Sequence, residues 1–451
     1  MAYNFVSADR DQQFLLPPNM ADWLPEDHLV WFVIDVVDQI DLGRFRRSYR
    51  SDGHGRPAYD PAFMVALLLY AYCTGVRSSR VIERRCMEDV AFRVLTGNLC
   101  PDHVTIARFR RRHADALAAV FIDSLRLCAE AGLVRLGVVA LDGTKIGSNA
   151  SADANRNLEE LTKTVDEMLA EAEATDTEEE AKEDAVEPEE LTPKQLAGRA
   201  DRLARLQAAK TRLEDTAAVR AARFEERSKK TNEARAAKGQ PPRELKPRPR
   251  DEVPQPNAVA NTTDCESRLL RGRGGPVQGY NAQAVCTEDQ VIVAAEVTQD
   301  ANDLQQLAPM LDATNTTLEA AGIDERPDAV AADAGYWRIE NVNGSIPDAP
   351  ELFISVAKHA RRGKERKDGQ PSASKSDSFI AEMKEKLKSD RGHDVMKMRR
   401  TTIEPVFGQI KHGRGARRFS RRGLEPAQAE WKLLCAAHNL MKLWRHGTAT
   451  S

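Results

Sequence analysis

Three short stretches hold residue types whose spacing could do chemistry. In Arg400-Thr401-Thr402-Ile403-Glu404-Pro405-Val406-Phe407-Gly408-Gln409-Ile410-Lys411, a carboxylate follows an arginine by four residues and precedes a lysine by seven. On a helix turning about 100° per residue, Arg400 lies about 40° and Lys411 about 20° from Glu404. The three then share one face, with Ile403, Phe407 and Ile410 turned to the core beside them. Two more acids, Asp142 in Asp142-Gly143-Thr144-Lys145 and Asp333 in Asp333-Ala334-Gly335-Tyr336-Trp337, each follow a short apolar run of β type. Carboxylates at the ends of two neighbouring strands and one on a packing helix can converge on divalent ions. Hard oxygen ligands suit Mg2+, and two ions about 3.5 to 4 Å apart can bracket the attacking and leaving oxygens of an in-line phosphoryl displacement. A cation on either side of the helical acid would grip phosphate.

The elements that must position these acids can be read from hydrophobic periodicity. Gly137 to Leu141 is a buried strand ending at Asp142. Gly279 to Cys286 and Val291 to Val297 form a hairpin about a turn at Thr287 to Gln290. A helix from Asp303 to Ala321 places Leu304, Leu307, Met310, Leu311 and Leu318 on one face. Strand Asp328 to Ala332 ends at Asp333, Leu352 to Val356 is a further strand, and a basic polar loop leads to a last helical region from about Met396. The order is strand, strand, strand, helix, strand, strand, helix, with one insertion.

Residues 1–132 read as helical. Pro61 to Gly75 is apolar on nearly all sides, with Asp60 as N-cap, Pro61 at the first helical position and Gly75 closing it. Helices over Ser78 to Gly97 and His103 to Leu127 flank a Pro101-Asp102 turn. The second opens with Thr105 and carries Arg108, Arg110, Arg111 and Arg112, as a helix-turn-helix reader of duplex DNA would. The bland alternative is a solvated arginine face.

Residues 151–262 are compositionally biased, acidic as far as Glu190 and basic from Lys194 to Arg250. Leu196, Leu203, Leu206 and Leu213 stand at near-heptad spacing, so part could be a helical hairpin or coiled coil; the alternative is a solvated helical or disordered insertion. An acidic half folded back on a basic half would neutralise both. This segment also resolves an apparent objection to a nucleic-acid partner. The net charge is −3, but Glu159 to Glu190 holds 15 acidic and 2 basic residues, so the remainder stands at about +10.

With 451 residues, 41% hydrophobic and 30% charged, the chain calls for two or three domains. The absence of a long apolar run or a basic-then-apolar start predicts a cytoplasmic protein with no membrane partner. Seven scattered cysteines without a C-x-x-C pair read as reduced, mostly buried thiols.

Taken together, Arg-x3-Glu-x6-Lys at the last acid, Asp-Gly-Thr at the first and Asp-Ala-Gly-Tyr at the second resemble the DDE transposases of bacterial insertion sequences, the group with a helical amino-terminal domain. The likeness extends to the Gly279-Tyr280-Asn281-Ala282-Gln283 hairpin, the arginine-rich His103 to His113 helix and the closing Glu430 to Leu440 helix with Ala437-His438-Asn439-Leu440. It fails over the charged insertion. It also departs at Lys397, where the family pattern often has Tyr three positions before the Arg, so no role of that Tyr carries over.

The resemblance implies an α/β, RNase H-like mixed-sheet catalytic core over 133–150 and 263–445, an all-α DNA-binding domain over 1–132 and the charged insertion over 151–262. It implies Asp142, Asp333 and Glu404 as catalytic, metal-binding acids for Mg2+, with Mn2+ as the alternative. Arg400 and Lys411 are the phosphate contacts it suggests near the cut. Arg417, Arg418 and Arg421 flank the same site, and Arg108, Arg111 and Arg112 belong to the helical reader. The implied substrates are double-stranded terminal inverted repeats and target DNA, handled by a homodimer. Water attacks the phosphodiester at the element end, and the freed 3′-hydroxyl then attacks target DNA with no covalent protein intermediate.

Other residues have two readings. Trp337 is buried or stacks on a base; Asp264 caps a loop or helps place substrate; His412 and His438 could be general bases, although two-metal transfer requires none and His438 lies on an apolar helix. Rival readings of the whole chain are a nuclease that cuts without joining, a catalytically inactive DNA-binding protein, and a coiled-coil scaffold.

Overall fold

The structure is a computed structural model describing residues 19–49, 57–181, 193–237, 239–244, 257–272, 274–356 and 375–450. The basic loop expected before the last helices and the Pro188 end of the acidic segment fall outside these residues.

The chain opens with helices α1 (Leu29–Asp38), α2 (Gly43–Arg46), α3 (Pro61–Cys73), α4 (Ser79–Glu88), α5 (Val90–Thr96), α6 (His103–Arg112) and α7 (Ala114–Glu130). As expected, Asp60 caps α3 by accepting from the Ala62 amide at 2.8 Å, and Met64 to Cys73 are buried on every side. Two expected long helices are each broken in two. At Asp89 the backbone turns extended (φ −105°, ψ 123°) and the side chain accepts from Ala91 N, giving α5 its own cap. Such side-chain bonds compete with helix continuation. At His113 (φ −112°, ψ 30°) the break buries the imidazole, whose centroid lies 4.4 Å from that of Phe109.

The sheet is built from β1 (Val138–Gly147), β4 (Arg268–Gly272), β5 (Gly275–Cys286), β6 (Ile292–Thr298), β7 (Ala329–Ala332) and β8 (Glu351–Ile354), after a two-stranded pair, β2 (Asn155–Asn157) and β3 (Val259–Asn261). Its order is β4-β5-β1-β7-β8, with β6 also pairing β5. β1 runs antiparallel to β5 and parallel to β7, and β7 is parallel to β8. The expectation that the first strand ends at Asp142 is corrected. β1 continues to Gly147 because β5 is long enough to pair with it throughout, from Ala140↔Cys286 to Gly147↔Gly279. β4, which was not foreseen, folds onto the start of β5 with Gly272 opposite Gly275.

Helices cover both faces. Helices α8 (Leu158–Ala181) and α9 (Pro193–Ala236) lie between β2 and β3; α10 (Leu307–Ala320) follows β6, the single turn α11 (Ile339–Val342) precedes β8, and α12 (Lys375–Lys388), α13 (Asp390–Gly408) and α14 (Leu424–Thr450) close the chain. Val139, Leu141, Val285 and Val293 pack on Leu307, Met310, Leu311 and Leu318 of α10. On the opposite face Ala140, Ile146, Tyr280 and Ala284 join Ile403 and Phe407 of α13, Trp431 and Leu434 of α14, and the amino-terminal helices in one core. The line drawn at residue 132 therefore divides elements that share a core, with α14 lying against α3, α7 and β6.

α14 also covers backbone that β6 presents. Asn439 accepts from Ile292 N at 2.8 Å and donates to Ile292 O at 2.9 Å, Gln428 donates to Ala295 O at 3.0 Å, and Val297 N donates to Gln428 Oε1. Burial drives the His438 imidazole down to about 3. It is neutral, and its Nε2 lies 2.8 Å from Gln290 O. This is the structural role foreseen for it.

The insertion is a helical hairpin in its described part. Leu161 and Val165 of α8 meet Leu206, Ala209 and Leu213 of α9 in a small apolar core of their own. The charge pairs found along α8 and α9, Lys163–Glu167, Arg205–Asp201 and Lys230–Glu226, run i to i+4 within one helix. Among the described residues the two helices meet through this apolar seam, while most of the acidic run lies outside the described side chains. At the root, Asn261 donates to Ser151 O at 2.7 Å and to Asn155 Oδ1 at 3.0 Å, and Asn155 donates to Gln278 of β5 at 2.9 Å. Among the described residues no helix is long and apolar enough to cross a membrane.

Gln290, at left-handed φ of 62°, ties the β5–β6 turn to α13. Pro405 inside α13 has no N–H for the carbonyl of Thr401, and Gln290 Nε2 donates to it at 3.0 Å. Gln290 Oε1 accepts from Lys442 Nζ at 2.6 Å and from Gln409 Nε2 at 3.1 Å. Gln290→Ala strands these groups and is expected to cost about 1–3 kcal/mol, seen as a lower urea midpoint at unchanged slope. An unchanged midpoint would show the turn to be held by His438 and Asn439 alone.

Candidate active site

The first two acids are brought together by strand register. β1 and β7 pair in parallel from Val138↔Ala329 to Leu141↔Ala332, so Asp142 and Asp333 are the next residues on adjacent strands, which lie about 4.8 Å apart. Asp333 leaves the strand to cap a 3-10 turn over Ala334–Tyr336, its Oδ1 accepting from Gly335 N at 2.6 Å. Asp142 stays in mid-strand. Its Oδ1 accepts from Gly143 N at 2.8 Å and its Oδ2 from Arg399 Nη2 at 2.7 Å. Burial raises the Asp142 carboxyl to about 6; Asp333 and Asp303 push it the same way, while Arg399 and the Gly143 amide oppose them.

α13 supplies the third acid, though not with the neighbours its spacing suggests. Val395, Arg399, Thr402, Ile403, Val406 and Phe407 face the interior. Glu404 is at the rim, its side chain 56% exposed and Oε1 4.0 Å from Arg399 Nη1. Arg400 is exposed, and it is Arg399, one residue earlier, that enters the site. After Gly408 the helix widens into a π turn over Gln409–Gly413. The wider turn changes the angular phase of whatever follows. Lys411 accordingly reaches β1, donating to Thr144 Oγ1 at 2.9 Å and Lys145 O at 3.0 Å.

Sequence reasoning missed a polar group behind Asp142. Asp303 Oδ1 accepts from Asn281 Nδ2 at 2.7 Å and Gln283 Nε2 at 2.8 Å, and Lys145 Nζ lies 3.6 Å from it. Burial lowers the Lys145 ammonium against the pull of Asp303. Gly143 makes room for this group, since a Cβ there would lie 2.7 Å from Asp303 Oδ1. The available signal was Asn281 and Gln283 two residues apart in the otherwise mostly apolar run Gly279–Cys286, which puts both amides on one face.

The arginines divide between exposed ones and ones engaged within the fold. Arg108 and Arg111 are exposed on α6. Arg112 lies 4.6 Å over the Tyr49 ring and donates to Ser48 O, while Arg110 is buried, donating to Arg77 O at 2.8 Å and to Tyr72 and Ser79. The loop with Arg417, Arg418 and Arg421 is sewn to the end of β1: Gly147 N donates to Arg417 O at 3.0 Å and Phe419 N to Gly147 O at 2.8 Å. Arg417 and Arg418 are exposed, with Arg417 Nη2 2.7 Å from His412 Nδ1; Arg421 is half-buried and donates to Arg110 O at 3.5 Å. Arg77 clamps this loop to the amino-terminal helices, donating to Arg418 O and Gly415 O at 2.8 Å and pairing with Glu430 at 3.2 Å. Asp264, buried, accepts from Tyr280 Oη at 2.8 Å and Gly423 N at 3.2 Å, which spends it on structure. Trp337 is buried.

The donor chemistry fits a hard divalent ion: oxygen ligands only, with the Asp142 carboxyl crowded by two like charges that such an ion would relieve. Among the described residues, however, no three Asp, Glu, His or Cys side chains already converge as ligands. The Arg399 guanidinium stands between Asp142 and Glu404.

Comparison with known proteins gives two matches. Residues 18–112 match the family model described as a transposase domain (DUF772), and residues 361–444 match the one described as a transposase DDE domain. The second takes in Arg400, Glu404, Lys411 and the arginine loop; neither reaches the strands carrying Asp142 and Asp333. No curated protein and no solved structure matches the chain. A transposase domain over the amino-terminal helices and a transposase DDE domain over the closing ones support the resemblance to the DDE-type insertion-sequence transposases.

Proposed function

We propose that the chain cuts DNA at the ends of its own insertion sequence and joins the freed 3′ ends to target DNA, with Asp142, Asp333 and Glu404 as the acids that hold Mg2+ or Mn2+. The observation that carries this reading is the register of β1 against β7, which sets Asp142 and Asp333 side by side under α13 and its Glu404. The strand order supports an RNase H-like core: a central β1, an antiparallel β5–β6 hairpin on one side and parallel β7 and β8 on the other.

Bound divalent ions would supply charge neutralisation at the phosphorus and activation of the attacking hydroxyl. The protein's part is orientation. β1 and β7 fix two carboxylates by main-chain pairing, α13 brings the third from the side, and Lys411 is held against β1 at Thr144 and Lys145, two and three residues past Asp142. Exposed Arg417 and Arg418 extend the basic surface from the end of β1, Arg400 adds a cation at the rim, and Arg108 and Arg111 offer phosphate contacts on α6. Arg112 and Arg421 are engaged internally and serve mainly to hold these surfaces. Two element ends must meet in one reaction, so a homodimer on duplex DNA is the working assembly in this reading.

The test is incubation of the full chain with labelled duplexes carrying the inverted repeats that flank its gene, a target plasmid and Mg2+. Nicked ends followed by joined product are expected. Cleavage with no joined product would favour a nuclease on the same core, and binding with no cleavage an inactive DNA-binding protein.

A further inference from the structure

The residue that α13 drives into the site, Arg399, is assigned no task by the reading above. It falls there because it stands on the stripe of Val395, Ile403, Val406 and Ile410, and it is only 7% exposed. A buried guanidinium is stable only when its donors are matched. Its Nη2 is matched by Asp142 Oδ2 at 2.7 Å and its Nη1 lies 4.0 Å from Glu404 Oε1, while its buried Nε has no hydrogen-bond partner among the described residues. Asp142 Oδ1 is already taken by the Gly143 amide at 2.8 Å. Both oxygens of the central acid are therefore engaged, one by main chain that strand pairing holds fixed and one by a side chain that can move.

We propose that Arg399 is a displaceable counter-ion: it holds Asp142 and Glu404 together ahead of the divalent cation and yields Asp142 Oδ2 when the cation binds. This rests on the reading of Asp142 and Glu404 as cation ligands. A cation that takes Asp142 must compete with a charge-assisted hydrogen bond, so Arg399 sets how readily the site loads. The half-matched guanidinium, with Nε unbonded, is the form of contact that gives way most easily.

Calorimetric titration of the full chain with Mn2+, without DNA, tests this. Arg399→Gln removes the competing charge and is expected to tighten Mn2+ binding about tenfold, the scale of one charge-assisted hydrogen bond. Arg399→Lys, a cation with a different reach, should fall between that variant and the wild type. The melting temperature of Arg399→Gln should drop without Mn2+ and recover with it. If Arg399→Gln does not fold, the affinity of Arg399→Lys decides. Folded variants that bind Mn2+ no more tightly than the wild type overturn the proposal. Asp142→Asn separates the two levels: unchanged Mn2+ affinity in that variant overturns the ligand assignment itself, whereas lost affinity there with no gain in the Arg399 variants overturns only the counter-ion role.

Discussion

Glu404→Gln is expected to slow strand cleavage by about a thousandfold or more while leaving stability within about 0.5 kcal/mol of the wild type. The carboxylate is more than half exposed, and it approaches the Arg399 guanidinium only to 4.0 Å. Little of the fold depends on it. As a cation ligand it would contribute several kcal/mol at the transition state, and each ~1.4 kcal/mol is a factor of ten in rate. The measurement is the single-turnover nicking rate beside a thermal melt. A Gln variant that nicks within tenfold of the wild type would remove the helical acid from the chemistry.

Asp142→Asn should produce the opposite pairing, a dead enzyme that is the more stable protein. Folding raises this carboxyl from its ordinary 3.8 to about 6, chiefly by burial, so the native state prefers it protonated. Its favourable contribution is complete below about pH 4 and is lost as pH climbs through 6. Asn keeps an oxygen for the Arg399 donor without the charge. At pH 8 the variant is therefore expected to gain up to about 3 kcal/mol, from two pKa steps at ~1.4 kcal/mol each. Below pH 4 the two proteins should converge. Urea melts at pH 4, 6 and 8 read this directly; a variant no more stable than the wild type at pH 8 would show that burial does not penalise the ionised acid. Stability gained by neutralising a residue and activity lost with it is the expected mark of a functional position.

How far the sequence could be read depended on whether the deciding contact was local. The strands that carry and flank the two Asp residues announced themselves as apolar runs, and the cap at Asp60 lies beside the helix it begins. Asp142 followed by Gly143 looks like a turn, and only the length of β5, more than a hundred residues away, keeps the chain extended through it. Arg399 was within reach of helical arithmetic, being four residues before Ile403, but a charge on an apolar stripe is ordinarily discounted. The π turn that redirects Lys411 leaves no trace in periodicity. Asp303 meets Lys145, Asn281 and Gln283 only after three elements have come together. In the insertion the near-heptad leucines were the local signal, and Leu206 and Leu213 do meet Leu161 and Val165 in a small apolar core.

The root of that insertion separates two properties that are usually bound together. Asn155 and Asn261 close the neck through β2 and β3 within a few residues of where β1 ends and β4 begins, so everything beyond Leu158 hangs from a knot already tied. The entropy of closing a loop grows only with the logarithm of its length, and here the closure is made at the neck. Heritable insertions and deletions at the far end of the hairpin can accumulate without shifting Asp142 by a single register position. The reach of the protein and its cutting chemistry can thus drift independently, and a descendant with a longer, shorter or foreign arm would inherit an intact centre.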